Sequence, residues 1–209
     1  MPNFVKVEVQ DGVAVLMFMR AEAANALSVQ MLHEINEALE VIHDDRSIRV
    51  VIVTGDGEKA FCAGADLKER KGMNEGETRK TIALIGKTMN HFEALAQPVI
   101  AAINGVAFGG GLELALACDI RIASNTAKMG LTETALGIIP GAGGTQRLPR
   151  LIGIGKAKEL IYTARRLSAE EAYQYGMIEH IIQPEKLLEQ AKELAYEIAK
   201  NAPLSLIQA

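Results

Sequence analysis

The stretch Phe108-Gly-Gly-Gly-Leu-Glu-Leu-Ala-Leu-Ala-Cys-Asp119 decides how the rest of the chain is interpreted. Three glycines precede an apolar run that predicts a helix, and one carboxylate, Glu113, falls in its first turn. Glycines at a helix start let another group approach the backbone closely, because no side chain stands in the way. The free N–H groups of that turn, together with the helix dipole, favour a negative charge. The stretch therefore predicts a backbone site that stabilises a developing anion.

A second carboxylate, Glu133, lies in the apolar, glycine-containing segment Met129–Gly141. Taken singly, each glutamate has an ordinary explanation: Glu113 complements the helix dipole, and Glu133 is an exposed turn residue. The explanation changes because both lie among apolar residues, where a charge is costly unless it has a partner or a chemical role. Two such carboxylates beside an anion-stabilising backbone predict proton chemistry next to a carbonyl.

Composition limits the class of protein. The chain has 209 residues, of which 49% are hydrophobic and 23% charged, enough for one substantial core. Its formal net charge of −4 argues against non-specific nucleic-acid binding, which needs a basic face. There is no Trp and aromatic residues are scarce, so platforms for stacking bases are not expected either.

Cysteine and histidine usage predicts neither disulfides nor a metal site. Cys62 and Cys118 lack CxxC spacing and are interpreted as buried thiols in a reducing compartment. The four histidines lack ligand spacing. The early apolar run Val13–Met19 is too short for a membrane span, and the signal-peptide pattern is missing, so a cytoplasmic location is expected.

Strand and helix patterns alternate without a linker, a repeat or a low-complexity stretch, which predicts one α/β domain over residues 1–209. The acidic face of the helix that begins at Ser28 is expected to be simply solvated. The predicted elements are a hairpin of Val5–Val9 and Val13–Met19 around Asp11-Gly12, the helix from Ser28, buried strands at Arg49–Thr54, Val99–Ile103 and Asp119–Ala123, a short helix from the Ser168–Glu171 capping box to Gly176, and a last long helix from Pro184 to Lys200.

Other glycine-rich and nucleophile motifs are incomplete. Gly153-Ile-Gly-Lys156 is followed by Ala157, where a Walker loop needs Ser or Thr, and no Rossmann fingerprint fits. No Gly-x-Ser-x-Gly elbow occurs, which argues against a serine hydrolase of that kind. A glycosidase carboxylate pair normally needs aromatic sugar platforms, which this composition hardly provides.

Four segments taken together resemble the crotonase (enoyl-CoA hydratase) superfamily, in family order and from the first strand to the last residue. Their sequences are most similar to those of the methylglutaconyl-CoA hydratase branch. The segments are Phe61–Glu69, Gly109–Glu113, Pro140–Gly144 and Thr145–Leu148.

The resemblance implies a crotonase-like spiral of ββα units with peripheral helices, assembled as trimers that often pair into hexamers. It implies that relatives continue past Ala209 with C-terminal helices, so that a helical segment beginning near residue 201 is expected to be incomplete here. Arg20-Ala21-Glu22 stands where the family commonly has Arg-Pro and a basic residue, so one ionic contact with a CoA phosphate is expected to be missing.

The resemblance also implies roles for single residues. The N–H groups of Ala65 and Gly110 match the family's oxyanion hole. Glu113 matches the carboxylate that holds and activates water, and Glu133 the one that exchanges the proton at the α-carbon. Gly141 matches a glycine that helps to hold the water or the thioester. The positions that fall where the family wraps CoA are Ala23, Ala63, Asp66, Leu67 and Lys68.

The activity that the resemblance implies is enoyl-CoA hydration, the addition of water across the 2,3 double bond of an acyl-CoA thioester, in fatty acid or branched-chain amino acid breakdown. Having both Glu113 and Glu133 favours hydration over the isomerisation that other members catalyse. No cofactor is expected, because coenzyme A is part of the substrate. An RNA-binding hydratase homologue remains a further alternative, although the predicted helix from Ser28 to Asp44 is acidic and has no Lys.

Overall fold

Strands alternate between two sheets in the computed structural model, which describes residues 3–209. One sheet has the strand order β1-β2-β3-β5-β7-β10 and the other β4-β6-β8-β9. The strands of this part of the chain are β1 Val5–Gln10, β2 Val13–Phe18, β3 Val50–Gly55, β4 Ala60–Cys62, β5 Val99–Ile103, β6 Val106–Phe108, β7 Ile120–Ser124, β8 Lys128–Gly130, β9 Leu167–Ser168 and β10 His180–Ile182. The α-helices are α1 Val29–Asp44, α2 Leu67–Arg70, α3 Glu75–Glu93, α4 Gly110–Ala117, α5 Gly144–Ile152, α6 Ile154–Thr163, α7 Ala169–Gln174, α8 Leu187–Ala199 and α9 Pro203–Gln208.

The chain repeats one unit as it winds. It passes from β3 in the first sheet to β4 in the second and then into helices; β5, β6 and α4 repeat the path, and β7 and β8 begin it again. The predicted hairpin is confirmed, since β1 and β2 pair antiparallel, whereas β2, β3, β5, β7 and β10 run parallel. Every residue of β3 and β5 is buried, as their continuous β-branched and apolar runs predict. The predicted α/β spiral of ββα units is confirmed.

Helix α1 begins where the sequence predicts. The Ser28 side chain caps it by accepting a hydrogen bond from Met31 N, and its apolar stripe is buried in the core. The acidic face is not simply solvated, because Glu34 Oε2 accepts hydrogen bonds from the N–H groups of Phe4 at 2.6 Å and Val5 at 3.0 Å. The interpretation of that face as solvent-facing alone is therefore wrong for Glu34, which anchors the start of β1.

Of the C-terminal elements, α8 covers the outer face of the first sheet, whereas the buried residues of α7 belong to the main core. The capping box of Ser168 and Glu171 is confirmed, and the chain leaves α7 through Gly176 at φ 75°. Pro184 begins a 3₁₀ turn that leads into α8, whose buried residues pack on that sheet. The predicted last long helix is confirmed as α8, which begins at Leu187 after the Pro184 turn and is followed by the short helix α9. Within the described residues, no helix is both long and apolar enough to span a bilayer.

Helix α4 packs tightly against β4 at Gly111. A Cβ placed on Gly111 would lie 1.9 Å from the carbonyl oxygen of Cys62, so only a glycine fits there. Every residue of α4 from Gly111 to Ala117 is buried. The lack of a side chain at Gly111 therefore sets how deeply the first turn of α4 enters the molecule.

Gly111→Ala is expected to lower the free energy of unfolding by roughly 3 kcal/mol or more, because the methyl group would overlap a backbone carbonyl. Gly86→Ala is the matched control: Gly86 lies inside α3 with no atom within 4 Å of its Cβ position. That change should raise stability by roughly 0.5–1 kcal/mol through helix propensity. Urea denaturation followed by circular dichroism measures both, and equal effects would contradict the packing argument.

Candidate active site

A cavity of about 750 Å³ lies at the N-terminal end of α4. Most of its lining comes from the loop after β4, the start of α4 and the segment between β8 and α5, and Ile82 and Ile85 of α3 and Arg166 complete it. The predicted site residues that line it are Ala63, Ala65, Leu67, Gly110, Glu113, Glu133 and Gly141. The fold therefore brings both carboxylates and both predicted backbone donors to one cavity.

The predicted donors Ala65 N and Gly110 N are neighbours. The Cβ position of Gly110 lies 3.7 Å from Ala65 N, and that of Gly64 lies 3.1 Å from Gly110 N. Neither N–H donates to an acceptor within residues 3–209. Buried backbone donors are rarely left unpaired, so two adjacent ones at a cavity wall are suited to bind an oxygen of a ligand.

Gly109 makes this arrangement possible through its backbone conformation. Its φ of 51° and ψ of −125° lie outside the regions that residues with a side chain adopt readily. A Cβ there would also meet Glu133 Oε1 at 3.2 Å. Gly109 thus turns the chain into α4 and leaves space for the second carboxylate.

Glu113 is 3% exposed and is held by the segment that precedes α5. Its Oε1 accepts hydrogen bonds from Ala142 N and Gly144 N, each at 2.8 Å. Burial raises the pKa of Glu113, while these two N–H groups and the Arg147 charge offset part of the rise. One oxygen is thereby fixed, and the carboxylate is oriented toward the cavity that it lines.

Glu133 lies in the 3₁₀ turn Glu133–Leu136 and has a different environment. Its Oε2 is buried and has no hydrogen-bond partner among the described residues. Burial raises the pKa of Glu133 to about 7, and the nearby charge of Glu113 adds to the rise. Near neutral pH this group is therefore present in both protonation states, as a proton donor and acceptor requires.

The segment Pro140–Gly144 owes its position to Arg147, a residue whose role the sequence reasoning missed. The Arg147 side chain is buried, and its Nη1 donates to Ala142 O at 2.8 Å. The sequence signal was available, because Arg147 is a charged residue inside one of the four family motifs. Its burial, which gives the residue its importance, could not be inferred from the motif alone.

Three predicted CoA-contact residues lie outside the cavity: Ala23, Asp66 and Lys68. Asp66 caps α2 by accepting from the N–H groups of Lys68 and Glu69, and it pairs with Arg20 at 2.7 Å. Burial alone would raise the pKa of Asp66, but these partners together lower it. Ala23 lies in a 3₁₀ turn whose neighbour, Ala24, accepts a hydrogen bond from Ala63 N, which places this turn beside the loop after β4.

The remaining wall of the cavity is largely apolar, with two cations, Arg70 and Arg166, that the sequence analysis did not single out. Leu136 and Ile139 are well exposed at this wall. The guanidinium of Arg166 lies over the Phe108 ring, 4.7 Å from its centroid, and both residues line the cavity. An apolar wall with a few polar groups suits an acyl chain attached to a reacting head.

The two cysteines are buried free thiols. Burial raises the pKa values of Cys62 and Cys118 to about 12, so neither thiol is a ready nucleophile. Between residues 3 and 209, His, Cys, Asp and Glu side chains form no group of three placed to bind a metal ion.

Comparison with protein families agrees with this geometry. Residues 8–209 match the model of the enoyl-CoA hydratase/isomerase family. The chain belongs to this family. It shares 47% identity over 204 residues with the short-chain-enoyl-CoA hydratase of Clostridium acetobutylicum, covering 98% of this chain and 78% of that protein.

Other members of the family extend the comparison. The solved enoyl-CoA hydratase of Bacillus anthracis superposes with a TM-score of 0.96 at 55% identity, covering 98% of this chain and 80% of that one. The relatives include the branch that the sequence motifs indicated. Mitochondrial methylglutaconyl-CoA hydratase of mouse is 45% identical over 199 residues, which cover 93% of this chain and 63% of that protein.

Glu133→Gln is expected to stabilise the fold at alkaline pH. Because the folded pKa of about 7 lies above the ordinary 4.5, folded protein keeps a proton that the unfolded chain releases between these values. The stability of the parent protein therefore falls as pH rises through this window. At about pH 8 the neutral amide should add roughly 1–3 kcal/mol to the free energy of unfolding, and at about pH 4.5 it should add none.

Urea denaturation at the two pH values measures this difference. Glu159→Gln on the exposed face of α6 is the control, because that side chain is already in solvent and should give no pH-dependent gain. A gain for Glu133→Gln that is the same at both pH values would show that the burial of charge is not its cause.

Proposed function

We propose that this protein is an enoyl-CoA hydratase that adds water across the 2,3 double bond of an enoyl-CoA thioester. The observation that carries the proposal is the pairing of Glu113 and Glu133 at one cavity, with one carboxylate fixed by two N–H groups and the other without a partner. Membership of the hydratase/isomerase family supports the reaction class. Fatty acid or branched-chain amino acid breakdown is the metabolic setting that we propose.

The first requirement of hydration is to stabilise the charge that develops on the thioester oxygen. We assign this task to Ala65 N and Gly110 N, whose N–H groups are adjacent and unpaired at the cavity wall. Such donors are fixed before the reaction, so they need no reorganisation when charge develops. The loss of one oxyanion donor typically costs about 3–4 kcal/mol of barrier.

The second requirement is a pair of proton transfers. Water adds its oxygen to C3 of the substrate and gives a proton to Glu113, whose Oε1 is already held by Ala142 N and Gly144 N. Glu133 gives its proton to C2, which the raised pKa allows near neutral pH. Exchange of protons with solvent after product release then restores both groups. No electron or group carrier is needed for this addition, so we propose that the enzyme works without a cofactor.

The binding of the rest of the substrate is also a proposal. The loop after β4, with Ala63, Leu67 and the neighbouring Lys68, is proposed to contact the CoA portion together with Ala23 and Asp66, while Gly141 contacts the water or thioester. We further propose a trimer or hexamer in the cytoplasm.

Glu133→Gln is expected to reduce the rate of crotonyl-CoA hydration by at least roughly 10²–10⁴-fold, because the amide cannot transfer a proton. Glu113→Gln should be similarly severe, because the water loses its base. The double variant should lose less than the product of the two single effects, since the pair acts as one unit. Hydration rates from stopped assays test this prediction. The dissociation constant of the CoA ester, measured in parallel, should change little.

The competing reaction of the family is double-bond isomerisation. Incubation with crotonyl-CoA and with a 3-enoyl-CoA, followed by chromatography of the products, distinguishes the two reactions. We expect a 3-hydroxyacyl-CoA from crotonyl-CoA. Isomerised product without any hydrated product would overturn the proposed function, and a folded Glu133→Gln enzyme with the parent rate would overturn the assignment of the site.

A further inference from the structure

Arg147 joins helix α3 to the segment that holds Glu113. Its Nη1 donates to Ala142 O at 2.8 Å, and its Nη2 donates to Asn90 Oδ1 at 3.1 Å and to Glu93 Oε2 at 2.7 Å. The arginine is 7% exposed and its contact with Ala142 is buried, whereas Asn90 and Glu93 are exposed residues. Arg147 does not line the cavity and therefore cannot act by contact with the substrate.

The guanidinium and Glu113 contact the same residue from opposite sides. Ala142 donates its N–H to Glu113 Oε1 and accepts Arg147 Nη1 on its carbonyl oxygen. The next residue, Gly143, has φ 104°, and a Cβ there would lie 2.0 Å from Arg147 Nη1. The guanidinium thus packs directly on the backbone of the segment, and a side chain at Gly143 would displace it.

We propose that Arg147 is a positioning residue for catalysis: by holding Ala142 O, it aims the N–H groups of Ala142 and Gly144 at Glu113. This inference rests on the proposed role of Glu113 as the base for water. The planar guanidinium can satisfy Ala142, Asn90 and Glu93 at once, because its N–H groups diverge in a fixed fork. A lysine ammonium keeps the charge but cannot reproduce that arrangement.

The chain offers a matched control in Arg121. This residue is 3% exposed, donates to the carbonyl oxygens of Met177 and Cys118, and pairs with the partly exposed Glu179 at 3.0 Å. It resembles Arg147 in burial and in its ion pair, but it does not line the cavity and its side chain donates to no residue of the Pro140–Gly144 segment. Replacing either arginine is expected to lower stability. An effect seen only when Arg147 is replaced is therefore an effect on Glu113.

The test compares Arg147→Lys, Arg147→Met and Arg121→Met. For crotonyl-CoA hydration we expect kcat to fall at least 10-fold in both Arg147 variants while KM changes less than 3-fold. Arg121→Met should keep the parent kcat even if its melting temperature falls. Arg147→Lys serves as the second variant in case Arg147→Met fails to fold.

A second measurement does not depend on the reaction. Glutamate carboxyl carbons labelled with ¹³C are titrated by NMR, with the Glu113 signal assigned by its loss in Glu113→Gln. Glu113 is faced by Glu133, by the two N–H groups and by the Arg147 charge. Both Arg147 variants should move the pKa of Glu113 upward, because its donors are no longer fixed, whereas Arg121→Met should leave it unchanged.

Parent-like titration of Glu113 in both Arg147 variants would overturn the inference. So would a lysine variant with the parent kcat and pKa, because charge alone would then explain the effect. If the parent protein does not hydrate crotonyl-CoA, the proposed function fails, and the NMR titration still decides whether Arg147 positions the segment around Glu113.

Discussion

Two backbone N–H groups, from Ala142 and Gly144, hold one oxygen of a carboxylate that is almost completely removed from water, and the chemistry of the site depends on this contact. A buried charge of this kind is tolerated only when it is hydrogen-bonded. The contact fixes Glu113 at the cavity and keeps its charged form accessible despite burial. Glu133 lacks such support, and the difference between two chemically identical side chains comes from their surroundings alone.

Glycines let backbone and polar groups around the two carboxylates approach each other closely. Gly111 lets α4 enter against β4, Gly109 turns the chain at a conformation that side chains disfavour, and Gly143 leaves room for the guanidinium of Arg147. Each removes a Cβ at a point where two backbone or polar groups must approach. The cluster of glycines therefore reflects close packing around the two carboxylates, rather than a flexible loop.

The sequence predicted those parts of the structure that depend on local pattern. A continuous β-branched run predicted the buried strand β3, and the Ser28 cap predicted the start of α1. The family motifs predicted most of the site residues that line the cavity, although Ala23, Asp66 and Lys68 lie outside it. The sequence did not predict contacts between residues that are distant along the chain. No pattern shows that Glu34 holds the start of β1, that Asp66 is occupied by Arg20 and the cap of α2, or that Arg147 is buried, because each depends on a partner distant in the sequence.

The alternation of strands between two sheets also affects how the chain reaches its native state. Apart from the β1–β2 hairpin, neighbouring strands of the first sheet are far apart in sequence, as when Val51 pairs with Val99 and Ile122 with His180. Pairings so far apart in sequence require large loops to close before any contact forms, which slows folding. Gly110 and Glu113 belong to the turn of β5, β6 and α4, Ala65 belongs to the turn before it, and Glu133 and Ala142 belong to the turn after it. Both the pair of N–H donors and the pair of carboxylates therefore become complete only when successive turns have stacked.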